Sequence, residues 1–322
     1  MWHWMLVSAA MAVSAAGISQ QVNPPAPSGT ETLDYSPDSL DRMTVPVIVD
    51  GHGPFRFIVD TGAERTVISR ELADRLSLDA SSNVRLASVA DVQTVATVMI
   101  PRLGVGRRSV DDIQAPTLSQ HNLGADGLLG VDGLRNQRVL FDFENQQMWL
   151  SRSEPPNQSR TGTRVDSLPP GTIVVTARSR LGRLILADAR VDGQRVWAII
   201  DTGSAVSVGN NLLRERLLRR GRIQTPVPVE LTSVTGAKVI MNYSRTGRIQ
   251  LGQAQITDLP IAFADVQLFR ELGLDNRPAL LIGMDALRLF RRVSIDFATR
   301  RVRFTPGPSG GFNAPLRVAA AR

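Results

Sequence analysis

The stretch Phe57-Ile58-Val59-Asp60-Thr61-Gly62 has a counterpart further along the chain, Ala198-Ile199-Ile200-Asp201-Thr202-Gly203. In each copy an apolar run typical of a buried strand leads directly into an Asp-Thr-Gly turn. A single turn of this kind is explained by a solvated aspartate, because Asp and Gly are common turn residues. Two copies need another explanation, since an unpaired buried carboxylate either destabilises the fold or shifts its pKa. We therefore expect the two aspartates to face each other and share a proton.

The repetition extends well beyond the two turns. An Asp-Gly pair, a strong signal for a tight hairpin, precedes each motif at Asp50-Gly51 and Asp192-Gly193. The other matching segments are Ser69–Leu76 with Asn210–Leu217 (short helices with N-cap residues), Val84–Asp91 with Val229–Gly236 (half-exposed strands ending in turns), and the apolar runs Leu128-Leu129-Gly130 with Leu281-Ile282-Gly283. Short strands, regular turns and brief helices predict a mostly β fold with two homologous barrel-like lobes related by a pseudo-twofold axis.

These matches divide the chain into lobes and connecting segments. We predict an N-terminal lobe at 44–150, a linker rich in proline at 151–170, a C-terminal lobe at 171–305 and a flexible tail at 306–322. Residues 1–16 are short, apolar and end in small residues, which is typical of a signal peptide, although no Lys or Arg precedes the apolar run. Residues 17–43 then form a flexible leader. We expect an exported protein, periplasmic or secreted, with no stable membrane span in the mature chain.

Composition excludes several classes of catalytic site. The 322 residues contain no cysteine and three histidines, His3, His52 and His121, so thiol catalysis, histidine-based triads and His/Cys metal clusters are not expected. The net charge of +7 comes from dispersed arginines, because Lys238 is the single lysine. With 5% aromatic residues and no aromatic-rich basic motif, nucleic-acid binding is not expected, and the arginines are interpreted as a solvated basic surface. We expect neither a metal nor another cofactor.

Two carboxyl groups within hydrogen-bonding distance cannot both ionise, so the pair retains one proton over a wide pH range. One carboxylate can then act as a base toward a water held between them, while the other donates a proton to a polarised carbonyl. The turn glycines Gly62 and Gly203 allow close approach of the backbone, and the hydroxyls of Thr61 and Thr202 can link the two turns beneath the acids.

This ordered and duplicated set of motifs resembles the aspartic peptidases, specifically retropepsin-like ones fused into a single bilobed chain. The resemblance covers about residues 44–150 and 171–305. It implies that Asp60 and Asp201 are the catalytic pair, that Thr61 and Thr202 brace the two loops, and that the two apolar runs ending in glycine pass behind the acids. It further implies a peptide or protein substrate bound in an extended conformation.

The family's substrate-covering flap would correspond to two turns, Ser88-Val89-Ala90-Asp91 and Ser233-Val234-Thr235-Gly236. The first turn lacks glycine, whereas the second has one. The position after the motif also differs: Ala63 follows the first copy, as in retroviral enzymes, and Ser204 follows the second, as in pepsin-like enzymes. A hydrogen bond from the Ser204 hydroxyl to Asp201 would make the two acids inequivalent.

Other acidic and basic residues are interpreted as structural. Asp142 and Asp296 occupy equivalent strands before phenylalanine, Asp132 and Asp285 follow the second motif, and Lys238 is a solvated hairpin residue. Three functional hypotheses remain open: an active aspartic endopeptidase working as a monomer with an internal pseudo-dimer, a peptide-binding module that has lost cleavage, and lobes that form active sites only by pairing between chains.

Overall fold

The computed structural model describes residues 30–153 and 171–307. Its strands are β1 (Glu31–Asp34), β2 (Ser36–Pro37), β3 (Met43–Val49), β4 (His52–Val59), β5 (Val67–Ser69), β6 (Val84–Ala87), β7 (Val92–Val95), β8 (Thr97–Val105), β9 (Arg108–Leu118), β10 (Gly127–Leu129), β11 (Gln137–Asp142), β12 (Gln147–Arg152), β13 (Ile173–Arg180), β14 (Arg183–Val191), β15 (Gln194–Ile200), β16 (Val208–Gly209), β17 (Val227–Thr232), β18 (Lys238–Leu251), β19 (Ala254–Phe263), β20 (Ala279–Ile282), β21 (Phe290–Asp296) and β22 (Arg301–Pro306). The helices are short: α1 (Arg70–Arg75), α2 (Gln120–Leu123), a 3₁₀ helix (Val131–Leu134), α3 (Asn211–Arg219), α4 (Gln267–Glu271) and α5 (Met284–Leu287).

Each half of the chain closes into a six-stranded barrel. In the N-terminal lobe the order is β3-β4-β10-β5-β9-β8, and β8 pairs back onto β3. In the C-terminal lobe the order is β14-β15-β20-β16-β19-β18, and β18 pairs back onto β14. Equivalent segments of the repeat occupy equivalent places in the two barrels. The predicted mostly β fold with two homologous lobes is confirmed.

Both Asp-Gly hairpins have the geometry that their sequences predict. Asp50 and Gly51 have φ angles of 47° and 78°, and Asp192 and Gly193 have φ angles of 46° and 80°. Positive φ at both central residues is the signature of a type I′ turn, whose twist matches that of the flanking strands. The extra residue of the first copy is accommodated in a bulge at Gly53-Pro54, where the register between β3 and β4 shifts.

The two predicted helices that follow the motifs begin at the predicted caps. The Ser69 hydroxyl accepts a hydrogen bond from the amide of Leu72 at 3.1 Å, which caps α1. The Asn210 side chain accepts one from the amide of Leu213 at 3.0 Å, which caps α3. Each cap satisfies one of the free amide groups at a helix N-terminus, an effect of about 1 kcal/mol.

A sheet shared by both lobes joins them along the pseudo-twofold axis. Its strand order is β1-β12-β11-β21-β22-β13, and β11 of one lobe pairs antiparallel with β21 of the other. Leu140 and Ser294, which are equivalent in the repeat, lie directly opposite each other at the centre of this pairing. On one side of the centre the buried Arg292 binds the fully buried Asp142 at 2.7 Å. Removing one member of a buried pair leaves an uncompensated charge and costs about 3–5 kcal/mol, so this pair ties the lobes together.

The prediction of a flexible leader through residue 43 is wrong for its last part. Strand β1 pairs with β12 and β2 pairs with β3, and Leu33 and Tyr35 are buried in the hydrophobic core. Strand β1 is the equivalent of the first part of β13, which pairs with β22 in the second lobe. Burial of these two side chains and the pairing to an exposed sheet edge explain why the segment is ordered.

Several predicted segments lie partly or wholly outside the described residues. These are the signal peptide (1–16), the leader up to residue 29, the linker from residue 154 to 170 and the tail from residue 308. The first two residues of the predicted linker, Ser151 and Arg152, belong to β12. Within residues 30–153 and 171–307, no helix is long and apolar enough to cross a membrane.

Candidate active site

Strands β4 and β15 carry the two acidic turns to the interface between the lobes. Each strand runs parallel to the strand of the second motif: Val59 lies opposite Leu129, and Ile200 lies opposite Ile282. The amide of Asp60 donates to the carbonyl of Leu129 at 3.0 Å, and the amide of Asp201 donates to that of Ile282 at 3.0 Å. The first residue of each turn is thereby fixed to the strand behind it.

The glycine of each second motif is required by close packing. A Cβ atom on Gly130 would lie 2.4 Å from the carbonyl carbon of Arg65, and one on Gly283 would lie 2.5 Å from the carbonyl oxygen of Val206. No side chain fits at such distances, so the chain of the second motif passes directly behind the loop that carries the aspartate. This matches the crossed arrangement that the resemblance implies for Leu128, Leu129 and Gly130 and for Leu281, Ile282 and Gly283.

The acids after the second motifs anchor these crossings. Asp132 accepts hydrogen bonds from the amide of Thr66 (2.9 Å) and from its hydroxyl (2.7 Å). Asp285 likewise accepts from the amide of Ser207 (2.9 Å) and from its hydroxyl (2.7 Å). Burial raises the pKa of Asp285 to about 6, against the hydrogen bonds from Ser207. Both acids therefore fix the loops in place by hydrogen bonds.

The two threonines of the motifs interlock the lobes. The Thr61 hydroxyl donates to the carbonyl of Ile200 at 3.0 Å, and the Thr202 hydroxyl donates to the carbonyl of Val59 at 2.7 Å. Each hydroxyl also accepts a hydrogen bond at 3.1 Å from the main-chain amide of the other threonine. Both side chains are buried, so these four bonds form a dry, reciprocal link between the turns.

The two aspartates face each other across the same interface. A Cβ atom on Gly62 would lie 2.4 Å from Cγ of Asp201, and one on Gly203 would lie 2.2 Å from Cγ of Asp60. Each carboxyl group therefore rests against the turn glycine of the opposite lobe. Within its own turn, Oδ1 of Asp60 accepts from the amides of Gly62 (2.8 Å) and Ala63 (2.9 Å). Oδ1 of Asp201 accepts from the amides of Gly203 (2.9 Å) and Ser204 (3.1 Å).

Burial raises the pKa of both acids, and the two acids affect each other in opposite directions. Burial raises the pKa of Asp201 to about 8, and the nearby charge of Asp60 adds to the effect. Burial also raises the pKa of Asp60, but the amides of Gly62 and Ala63 oppose this rise. Asp201 is 8% exposed, whereas Asp60 retains more contact with solvent. The two acids form a dyad in which the protonation of one depends on that of the other, and the pKa of Asp201 is the one raised to about 8.

Ser204 supports its turn in a different way from the one predicted. Its hydroxyl donates to the carbonyl of Val206 at 2.7 Å, so its proton is directed away from Asp201. Its main-chain amide, which any residue would supply, makes the contact with Asp201. The predicted asymmetry between Ala63 and Ser204 therefore does not arise from a hydroxyl-carboxylate hydrogen bond.

Both candidate flap segments are turns of β-hairpins. We call β6 and β7 with residues 88–91 the N-hairpin, and β17 with the start of β18 and residues 233–237 the C-hairpin. Gly236 has φ +86°, as expected for the glycine at the C-hairpin turn. In the N-hairpin turn the Ser88 hydroxyl accepts from the amides of Ala90 (3.1 Å) and Asp91 (3.0 Å). This serine side chain closes the turn where the sequence lacks a glycine.

The two hairpins contact each other across the cleft. The Thr235 hydroxyl lies 2.9 Å from Oδ1 of Asp91 and 3.4 Å from the hydroxyl of Ser88. Val89 packs against the hydrophobic cluster of the C-terminal lobe, and Val234 packs against that of the N-terminal lobe. Burial raises the pKa of Asp91, but hydrogen bonds from Ser88, Gln93 and Thr235 outweigh this effect and hold the pKa below its ordinary value. Each hairpin therefore contacts both the other hairpin and the opposite lobe.

Two arginines beside the dyad were not predicted. Arg42 and Arg183 are 5% and 8% exposed, although arginine is seldom buried without a partner. Each lies eighteen positions before its aspartate (42 and 60, 183 and 201), and this equal spacing is the sequence signal that could have identified them. Arg183 donates from Nε to the carbonyl of Gly62 at 2.6 Å, which joins the C-terminal lobe to the first acidic turn.

The remaining charged candidates have structural or surface roles. Asp142 and Asp296 accept hydrogen bonds from the amides of Asn145 (3.1 Å) and Thr299 (2.9 Å), which close equivalent turns. Lys238 forms an exposed ion pair with Glu230 at 2.8 Å. In the part of the chain that the structure describes, no group of three or more His, Cys, Asp or Glu side chains is placed to hold a metal ion.

Comparison with known proteins gives the same division of the chain. Residues 45–136 match a family model described as "gag-polyprotein putative aspartyl protease", and residues 187–286 match one described as "Aspartyl protease". The chain is 28% identical over 141 residues to DNA damage-inducible protein 1 of Kluyveromyces lactis, covering 42% of this chain and 33% of that protein. It is 26% identical over 175 residues to Protein DDI1 homolog 1 of Homo sapiens, covering 53% of this chain and 41% of that protein. The chain thus spans well under half the length of these curated relatives. The two matched models, one in each barrel and each including an Asp-Thr-Gly turn, show that this chain belongs to the retropepsin-like aspartic peptidases and carries two lobes of that kind.

Proposed function

We propose that this protein is an aspartic endopeptidase that hydrolyses peptide bonds with a water molecule activated between Asp60 and Asp201. The observation that carries the proposal is the reciprocal contact of each carboxyl group with the turn glycine of the opposite lobe. Such a pair presents a base and an acid to the same small space, which is what addition of water to a peptide carbonyl requires.

In the proposed reaction the charged carboxylate takes a proton from the water while the water oxygen bonds to the carbonyl carbon of the substrate. The protonated carboxyl donates its proton to the carbonyl oxygen, which gives a neutral tetrahedral diol. In the collapse, the carboxyl group that took the proton of the water gives it to the leaving nitrogen as the C–N bond breaks. The other carboxylate takes a proton from one diol hydroxyl as the carbonyl re-forms, so the dyad again holds one proton. The fixed amides of the turns hold both carboxyl groups without reorganisation during these steps.

An extended peptide is the substrate class that this architecture favours. In the C-hairpin, β17 is the last strand of its sheet, and the N-hairpin is a separate two-stranded sheet. Free strand edges bind extended peptides through main-chain hydrogen bonds, while side-chain pockets supply specificity. Because the hairpins touch each other through Thr235 and Asp91, we propose that they part to admit the substrate and close over it.

The proposal is tested by replacing each acid separately. Asp60→Asn and Asp201→Asn keep the shape of the side chain but remove the shared proton equilibrium. Each should lower kcat/KM on a fluorogenic peptide library by about 10²–10⁴-fold. Asp258→Asn, at a carboxylate whose side chain is 64% exposed, is the control and should retain full activity. A wild-type protein that binds peptides in the same library but cleaves none would instead support the binding-module hypothesis.

We further propose that the active site forms within one chain and that the protein works as a monomer. The threonine link and the shared sheet join the two lobes of the same polypeptide. Mixing the Asp60→Asn and Asp201→Asn proteins distinguishes this from pairing between chains. Within-chain sites remain inactive in the mixture, whereas pairing between chains would restore activity by combining two intact halves. Export of the protein remains a prediction from its N-terminal sequence.

A further inference from the structure

The peptide unit between Gly62 and Ala63 connects a guanidinium group to the dyad. Its N–H, that of Ala63, donates to Oδ1 of Asp60 at 2.9 Å. Its carbonyl, that of Gly62, accepts from Nε of Arg183 at 2.6 Å. A single rigid peptide plane therefore lies between a cation of the C-terminal lobe and a carboxylate of the N-terminal lobe.

Arg183 is buried between the two lobes. It is the first residue of β14 and is 8% exposed. Ile185 lies opposite Ile199 in the antiparallel pairing of β14 with β15. Two residues beyond that pair on each strand, Arg183 is level with Asp201. Its Nη1 lies 3.7 Å from Oε2 of Glu271. Among the residues that the structure describes, Nη1 makes no hydrogen bond, so the hydrogen bond from Nε to Gly62 is the closer of the two contacts, and it crosses the interface between the lobes.

The equivalent arginine of the other lobe behaves differently. Thr44 lies opposite Ile58, so Arg42 is level with Asp60 by the same register. Its Nε donates to Oδ2 of Asp38 at 2.8 Å, and its Nη2 donates to the carbonyl of Leu123 at 2.6 Å. Both partners belong to the N-terminal lobe. The two halves of the site, which are otherwise closely matched, differ at this point.

The contact of Arg183 with the opposite lobe, which Arg42 lacks in the described part of the chain, favours the negative charge on Asp60 rather than on Asp201. A charge-assisted hydrogen bond to a carbonyl polarises the peptide and strengthens the hydrogen bond that its N–H donates. The charge of Arg42 also favours the ionised form of Asp60. Arg183 pairs with Glu271 and Arg42 pairs with Asp38, and each arginine is placed to favour the ionised form of Asp60: Arg42 through its charge, and Arg183 through the peptide between Gly62 and Ala63.

We propose that Arg183 is a positioning residue that places the shared negative charge on Asp60 and the proton on Asp201. In the hydrolysis proposed above, Asp60 is then the base that takes the proton of the water, and Asp201 is the acid that protonates the carbonyl oxygen. These catalytic roles rest on the proposed function. The assignment of charge and proton does not, because it concerns the resting protein.

The test is a carboxyl titration that needs no peptidase activity. The ¹³Cγ resonances of aspartate are followed with pH in the Asp201→Asn and Asp60→Asn proteins, each of which retains one acid of the dyad. We expect Asp60 to titrate at a lower pH than Asp201. Adding Arg183→Met should raise the pKa of Asp60 by about half a unit and leave that of Asp201 unchanged. Adding Arg183→Lys, which retains the charge, should give a smaller shift.

Arg180→Met is the matched control, because Arg180 lies in the same hairpin and donates to the carbonyl of Leu272 within its own lobe. It should shift neither acid. Titration of Asp60 above Asp201, or an Arg183→Met shift confined to Asp201, would overturn the proposal. If the protein cleaves peptides, Arg183→Met should also move the acidic limb of kcat/KM upward by about half a pH unit, roughly a threefold loss of rate on that limb, without moving the basic limb. An unmoved acidic limb in a folded Arg183→Met protein would likewise contradict it.

Discussion

Exchange of Thr202 for valine removes a hydroxyl from the centre of the link between the lobes. The side chain is fully buried, and its hydroxyl donates to the carbonyl of Val59 at 2.7 Å while accepting from the amide of Thr61 at 3.1 Å. Valine has nearly the same shape, so the main effect is to leave two buried main-chain groups without a partner. At about 1–3 kcal/mol for each such group, we expect the free energy of unfolding to fall by about 2–6 kcal/mol.

The measurement is urea-induced unfolding followed by circular dichroism, with the slope of the transition compared between variants. Thr202→Ser retains the hydroxyl and should recover most of the loss. Thr246→Val is the matched control: Thr246 is 1% exposed, and its hydroxyl makes one hydrogen bond, to the carbonyl of Leu259 at 2.8 Å, within a single lobe. If Thr202→Val costs no more than Thr246→Val, the threonine link does not hold the lobes together as described.

Three further predictions concern the dyad and its cover. Gly203→Ala should abolish activity and destabilise the fold, because its Cβ would lie 2.2 Å from Cγ of the opposite aspartate; near-normal activity would contradict this packing. The pKa of Asp201 is raised to about 8 from 3.8, so the folded state binds more protons than the unfolded state and stability should fall as pH rises from about 4 to 8. The pKa of Asp285, raised to about 6, makes stability fall with pH in the same way, but only below about pH 6. Between pH 6 and 8 the melting temperature of the Asp201→Asn protein should therefore depend less on pH than that of the wild type. An equal dependence in the two proteins would refute the assignment. The chain has no cysteine of its own, so the double variant Asp91→Cys and Thr235→Cys should form one disulfide that joins the two hairpins. The oxidised protein should not cleave peptides, and reduction should restore cleavage. Equal activity in the oxidised and reduced proteins would show that the hairpins need not part.

Much of the site could be predicted because its signals are local and occur twice. The Asp-Gly turns, the N-caps Ser69 and Asn210, and the Asp-Thr-Gly turns each depend on a few adjacent residues whose preferences are physical. Repetition in the same order then placed one acid in each lobe. The pairing of those acids followed from the chemistry of two buried carboxyl groups rather than from any local pattern.

What the sequence did not predict depends on contacts between distant residues. The shared sheet forms because β11 pairs with β21, and the alternation of apolar and polar residues in a strand does not indicate which other strand it pairs with. Strand β1 is four residues long and has little periodicity of its own, so its order comes from the edge of β12. The N-hairpin turn uses the side chain of Ser88 in place of a glycine. The crossing of Arg183 to Gly62 joins residues 121 positions apart.

In the proposed mechanism, one aspartate from each lobe of a single chain shares a proton and activates water for peptide hydrolysis. The most direct measurement is a crystal structure of the protein with a statine-type peptide, whose hydroxyl occupies the position of the attacking water. We expect this hydroxyl to lie within hydrogen-bonding distance, about 2.5–3.0 Å, of carboxyl oxygens of both Asp60 and Asp201 of the same chain. A hydroxyl that contacts one aspartate alone, or two aspartates from different chains, would contradict it.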